Sequence, residues 1–430
     1  MTTSIELDNE APGHTGNCRF FADQTYHFQT LRVFSDIPFG GADTSEVLAT
    51  ISKIHEGDAV SWYAAWSAMA QRNAARAEAC LDRISCGMAW LRAHSYWRTA
   101  EFLLEPGDPR RLLAWKEQVD AFDNGLAALD VAHHRFDVPY GTGNLRAIFY
   151  PGPAGWETKP LIVLVGGYDS TLEELYFVLV KAAYLRGFGV LTYEGPGQGA
   201  ALRQFGMTFT HEWEHPNGAV LDAYLASHPA PPKLILIGMS MGGYLAPRAA
   251  AFDDRIDGVV AYDAVYDIGE SARIIANARA DPATALAPEI VWAIDNAKWA
   301  MGLTAPEALV ETFEPYTMAP IASRISCDVL ALAGIDDHFF PATQAEQLVT
   351  ACRRRSARLP SMRKTTRKKA SPRCYRHSAI TVWQCCSCGS CCWKSREAGL
   401  KPCFPYMRTT QGRSRRPASA CSSPMRQALS

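Results

Sequence analysis

The chain has 430 residues, 48% of them hydrophobic, which allows one large domain, a helical addition and a sizeable core. No basic start leads into an apolar stretch, and no run approaches the ~18 apolar residues of a membrane span, so a soluble, cytoplasmic protein without a membrane partner is expected. The net charge of −1 hides an asymmetry: residues 1–352 hold 24 Lys and Arg against 43 Asp and Glu, whereas residues 353–430 hold 19 bases and one acid, Glu397. Cysteine divides the same way, with five of the 13 before residue 353 and eight after it.

Residues 1–132 read as an N-terminal helical domain. Asp58 is placed to cap a long helix through Trp62, Ala65, Trp66, Met69 and Ala70, whose spacing fits a period of about 3.6. Two more helices are predicted, Met88 to Leu104 and Arg110 to Leu129, separated by the breaker Glu105-Pro106-Gly107-Asp108. Their aromatic stripes read as core rather than as a substrate tunnel.

From His134 the period becomes that of strands. Arg135 to Tyr140 and Leu145 to Tyr150 flank the hairpin signal Gly141-Thr142-Gly143-Asn144. Strand and helix then alternate: strand 161–165, helix 171–186, strand 188–193, helix 217–227, strand 234–238, helix 241–251, strand 257–262. That alternation predicts a parallel sheet with helices on both faces, a second domain spanning 133–352. Residues 267–320 interrupt it with helical stretches before a strand at Cys327, and an insertion there would roof the strand ends as a lid. Gly195-Pro196-Gly197-Gln198-Gly199 follows a strand, but Pro196 and the missing Lys-Ser/Thr argue against a phosphate loop, and no cofactor is expected.

Chemistry concentrates where Leu234-Ile235-Leu236-Ile237 runs into Gly238-Met239-Ser240-Met241-Gly242, a GxSxG on a strand-to-helix turn. This is the nucleophile elbow of an α/β hydrolase: Ser240 stands exposed on a tight reversal that leaves no room for side chains at the flanking glycines. A helix starting at Met241 aims its free N–H groups at an oxyanion, and the turn Gly166-Gly167-Tyr168-Asp169 after the upstream strand offers a second donor from Gly167 or Tyr168. The acid expected next in chain order is Asp337, in Gly334-Ile335-Asp336-Asp337-His338-Phe339-Phe340-Pro341, with Asp263 and Asp267 as rivals that read as turn and cap residues.

With its helical N-terminal region and GGYDS, EGPGQG, GMSMGG and GIDDHFFP in this order, the chain resembles the α/β hydrolases of fungal polyketide and polyketide-peptide pathways, the fusarin-pathway hydrolase group. It also looks like 2,6-dihydropseudooxynicotine hydrolase, a carbon–carbon bond hydrolase with a similar helical addition. The resemblance spans roughly residues 20–350 and implies an α/β-hydrolase fold, a mostly parallel twisted sheet flanked by helices, with an N-terminal helical domain and a helical lid. It implies Ser240 as nucleophile, Asp337 as acid, donors from Met241 and the Gly167–Tyr168 turn, and a catalytic His on a loop after one more strand. Beyond His338 the chain has only His377, which no strand pattern precedes and whose neighbouring arginines disfavour an imidazolium, so His377 stands as base on position alone. The implied reaction is hydrolysis of an ester, amide or β-dicarbonyl carbon–carbon bond in a small polyketide or polyketide-peptide intermediate, or ring formation on it. The alternative is a hydrolase-fold binding protein without a competent His.

The tail, 353–430, stays open. Cys388 and Cys391 form a single CxxC where structural zinc sites use two pairs, so no metal is expected. Its 19 bases suit a nucleic-acid arm, the weakest reading, or a disordered extension. Loss of every sheet and helix pattern after Leu348 also suits a segment translated out of frame.

Overall fold

A computed structural model of the chain describes residues 19–280, 285–334, 337 and 339–352. Among the described residues five α-helices come before the sheet, α1 (Gln24–Ser35), α2 (Thr44–Ile51), α3 (Ala59–Ala79), α4 (Arg83–Glu101) and α5 (Pro109–Leu129), and each is begun by an aspartate. The carboxylates of Asp23, Asp43, Asp58, Asp82 and Asp108 accept backbone N–H groups of the first turn that have no partner within the helix. The Asp82 cap, which takes the Ser85 N–H at 2.8 Å, explains why α4 starts earlier than the expected Met88. Helix α1 escapes periodicity because it buries polar residues, among them Gln29 and Thr30. Trp62, Trp66, Tyr96 and Trp97 form a core of their own, and the Trp62 indole donates to the Thr99 carbonyl at 2.8 Å.

Among the described residues the sheet has seven strands: β1 (His134–Tyr140), β2 (Gly143–Tyr150), β3 (Leu161–Val165), β4 (Val190–Tyr193), β5 (Leu234–Met239), β6 (Gly258–Tyr262) and β7 (Asp328–Leu332). Their order is β1-β2-β4-β3-β5-β6-β7; β1 and β2 pair antiparallel, as do β2 and β4, and the remaining neighbours are parallel. Pairing reaches Tyr140 opposite Gly143, so the hairpin turn is Gly141-Thr142 alone, two residues shorter than the sequence suggested.

The expected helix at 171–186 is broken up. A π-helical turn, Tyr176–Val180, leads into α6 (Lys181–Tyr184), while Thr171 gives its N–H to the Glu174 carboxylate at 3.0 Å and holds the preceding residues in turns. Helices α7 (Gly199–Phe205), α8 (Glu214–Ser227), α9 (Gly242–Ala250) and α13 (Thr343–Ala351) flank the sheet, and α7 is one that apolar spacing did not announce. Between β6 and β7 run α10 (Ile268–Ala280), α11 (Pro288–Ala300) and α12 (Leu309–Phe313). Because β3, β5, β6 and β7 are parallel, their carboxyl ends and the loops that follow share one edge, where open α/β sheets place ligands. No helix among the described residues is long and apolar enough to cross a membrane.

Candidate active site

Ser240 sits on the turn from β5 to α9 with φ +57, in the left-handed region that a non-glycine residue adopts only under constraint. The constraint is steric and local. A Cβ on Gly238 would lie 1.8 Å from the Gly242 carbonyl oxygen, and one on Gly243 would lie 1.8 Å from that of Asp263. The Ser240 N–H donates to the Tyr262 carbonyl at 2.9 Å, fastening the turn to the end of β6 while the residue stays exposed. Helix α9 begins at Gly242, with Met241 as its N-terminal flanking residue.

Opposite the elbow lies the turn after β3. Gly167 packs so closely that a Cβ there would come 2.8 Å from Ser240 Cβ and 3.1 Å from the Met241 nitrogen. Of the two donors expected in this turn, the Gly167 N–H is engaged with Ser170 Oγ at 2.9 Å, and Tyr168 is the next residue along the turn. The Tyr168 ring is fixed by its hydroxyl, which donates to the Ala293 carbonyl on α11 at 2.9 Å, and burial pushes that phenol well above its usual range. Gln198, from the EGPGQG loop, donates its side-chain amide to the carbonyls of Gly166 (3.1 Å) and Gly167 (2.8 Å) and accepts the Gly195 N–H (3.0 Å). Glu194 in the same loop accepts the Ala200 N–H at 2.6 Å, and burial, reinforced by Glu173, raises its carboxyl to about 7.

Ser240 opens on a cavity of about 570 Å³ whose wall includes Phe28, Phe102, Ile275, Trp292 and Phe313, with helices α1, α10, α11 and α12 contributing alongside the strand-end loops. Asp337 lines it, and its Oδ1 accepts the N–H groups of Phe339 and Phe340, both at 2.8 Å. Asp263, with φ +74 at the end of β6, lines it as well; burial first and the charge of Asp337 second push its carboxyl well above the usual range. Asp263 thus sits in a bend, as expected of a turn residue, and also belongs to the cavity wall. Asp267 does cap, accepting the Glu270 N–H at 3.1 Å in the first turn of α10.

His377, His338 and Asp336 lie outside the described residues, and among the described residues no histidine lines the cavity. Glu212, Glu214 and His215 bring ligand atoms within 4.8 Å of one another, but Glu214 is engaged by both arms of Arg248 at 2.8 and 2.7 Å.

Sequence reasoning missed the charged end of the cavity. Arg32 on α1 contacts Asp169 at 2.5 Å and Glu174 at 2.7 Å; Arg98 on α4 contacts the same two carboxylates at 2.8 and 3.0 Å. Burial works against an ionised Asp169, yet the two guanidiniums outweigh it and hold the carboxyl down at about 2. Asp36, at the end of α1, is raised to about 7 by burial and then by Glu174. Only the Asp of GGYDS gave any signal of this cluster, and there it read as a turn residue.

Residues 161–366 match the alpha/beta hydrolase family. Hydrolase acrC of Aspergillus aculeatus is 33% identical over 368 residues, covering 76% of this chain and 86% of that protein. The 20-hydroxy-prefusarin hydrolase FUS2 of Gibberella moniliformis is 34% identical over 360 residues, covering 75% and 84%. Among solved structures, 2,6-dihydroxy-pseudo-oxynicotine hydrolase superposes with a TM-score of 0.62 at 19% identity, over 75% of this chain and 87% of that one, and AbyA5 with 0.60 at 18% identity, over 78% and 86%. These two share the fold. The chain belongs to the α/β hydrolase family, in the group of fungal secondary-metabolite hydrolases that the order of its motifs resembles.

Proposed function

We propose that the protein is a serine hydrolase acting on a carbonyl of a polyketide or polyketide-peptide intermediate. The observation that carries this reading is Ser240: a non-glycine residue held at positive φ on a strand-to-helix turn, facing a cavity with an apolar wall that also holds the carboxyl groups of Asp263 and Asp337 among others. In the proposed reaction a histidine, His377 by chain order, takes the Ser240 proton as Oγ attacks the carbonyl carbon, and Asp337 steers and stabilises the resulting imidazolium. The Met241 and Tyr168 N–H groups receive the oxyanion, with the Gly167 turn supporting the second donor. Collapse expels the leaving group with a proton from the histidine. Water then releases the acyl group from Ser240, or an internal nucleophile of the substrate does so and closes a ring. The helices at about 267–320 act as a lid, and the helical region up to 132 completes the wall. That a relative is named for 20-hydroxy-prefusarin supports the substrate class.

A fluorophosphonate probe tests the reading. Labelling of the wild-type protein at Ser240, lost in Ser240→Ala, is the expected outcome; an unlabelled wild type contradicts it. A second reading, a ligand-binding protein without hydrolytic activity, is favoured by the lack of a cavity-lining histidine among the described residues. Retained binding of apolar carbonyl compounds with no labelling would select it.

A further inference from the structure

We infer that Arg32 and Arg98 are positioning residues for the reaction proposed above: through Asp169 and Glu174, the N-terminal helices hold the turn that supplies the Tyr168 N–H in register with Ser240. The inference rests on Ser240 being the nucleophile.

The turn has little holding it from within. Its own bonds are Gly167 N–H to Ser170 Oγ and a long one, 3.4 Å, from the Ser170 N–H to the Gly167 carbonyl. On one side Gln198 grips the two carbonyls before Tyr168. On the other side Asp169, the residue next after Tyr168, is gripped by both guanidiniums, and each of these also reaches Glu174. The second oxygen of Glu174 takes the Thr171 N–H, so the clamp fixes the backbone on both sides of Ser170. Arg98 is itself oriented by Gln29, whose side-chain oxygen accepts from it at 3.0 Å.

The chemistry of this clamp is directional. Four charged groups are removed from bulk water, with side-chain exposures of 21% for Arg32 and Asp169, 7% for Arg98 and 9% for Glu174. Apolar residues of similar volume would join two regions at least as stably, whereas forked guanidiniums on paired carboxylates fix distance and angle. Fixed geometry is what an oxyanion donor needs, because a donor must meet the oxyanion at about 2.7–3.1 Å and a displacement of about 1 Å is worth on the order of a hundredfold in rate. The loss expected on breaking the clamp therefore falls on the bond-forming step and not on ground-state binding.

The experiment is the kinetics of fluorophosphonate labelling of the full chain, separating the saturation constant KI from the limiting rate kinact. In Arg98→Met and Arg32→Met, kinact is expected to fall by about 30- to 100-fold while KI moves less than about threefold. Arg98→Lys should recover only part of the rate, since a single ammonium does not span both carboxylates as a fork does. Arg248→Met is the control: it breaks a comparably shielded pair with Glu214 away from the cavity and should lower Tm with kinact unchanged. If the methionine variants fail to fold, Arg98→Lys and Arg32→Lys carry the same split. Unchanged kinact in folded variants, or a change equal to that of Arg248→Met, overturns the inference while leaving Ser240 as nucleophile. An unlabelled wild type removes the serine reading and this one with it.

Discussion

The turns after β3 and β7 open on the same cavity, yet their carboxylates are used in opposite ways. Asp169 is tied outward to arginines from α1 and α4, more than 70 residues earlier in the chain in the nearer case. Asp337 is tied inward, its Oδ1 closing its own loop on the N–H groups of Phe339 and Phe340. One turn has a geometry set by a distant part of the sequence; the other is closed by a carboxylate of its own loop. The neighbouring Asp263 adds to the contrast, since burial and then the charge of Asp337 push its carboxyl well above the usual range.

The comparison can be broken most decisively at the residue between the two turns. Ser240→Ala is expected to lower turnover of an activated ester by about a millionfold, the scale of losing a nucleophile from a cooperating set. Turnover at the parental rate would leave neither turn with a reaction to support. Next, Asp337→Asn should cost about ten-thousandfold in kcat, as when a carboxylate no longer steers its imidazole, whereas Asp263→Asn, at a carboxyl that burial biases against ionisation, should cost about tenfold or less. A reversed ranking in steady-state kinetics would exchange the two acids.

Gly243→Ala tests whether the elbow is held by sterics. Its new Cβ would fall 1.8 Å from the Asp263 carbonyl oxygen, so a loss of about 3 kcal/mol or more is expected in denaturant unfolding. A variant as stable as the parent would show that the turn can relax. A pH dependence of stability is expected from Asp36, which keeps its proton in the folded protein up to about pH 7 but loses it near pH 4 when unfolded. The folded state then binds more protons through that window, and stability falls as pH rises from about 4 to about 7, by at most about 1.4 kcal/mol per pH unit. Asp36→Asn should flatten this part of the curve; Glu194, raised in the same direction, contributes equally to both proteins and leaves the difference to Asp36. Parallel curves for the two proteins would remove Asp36 as the source.

How much of this was legible in the sequence follows the same division. Strands β3 to β7 announce themselves as buried apolar runs, and Ser240 and Asp337 stand in short motifs whose spacing relative to a strand end can be read directly. Helix α1 could not be read because it buries Gln29, Thr30 and His27, which defeats apolar periodicity. Helix α7 follows a glycine-rich loop whose role became clear only from Gln198 bridging two turns. The arginine clamp joins residues 71 to 142 positions apart, and charges on helices carry no mark of the partner they will meet.

The Gln198 bridge has a mechanical consequence. By fastening the turn after β3 to the loop after β4, it makes the floor of the chamber a single stiff plate, riveted at its far edge by the two guanidiniums. On the other side of the cavity, the bonds from Tyr168 to Ala293 and from Trp292 to Phe102 tie α11 to the turn after β3 and to the end of α4.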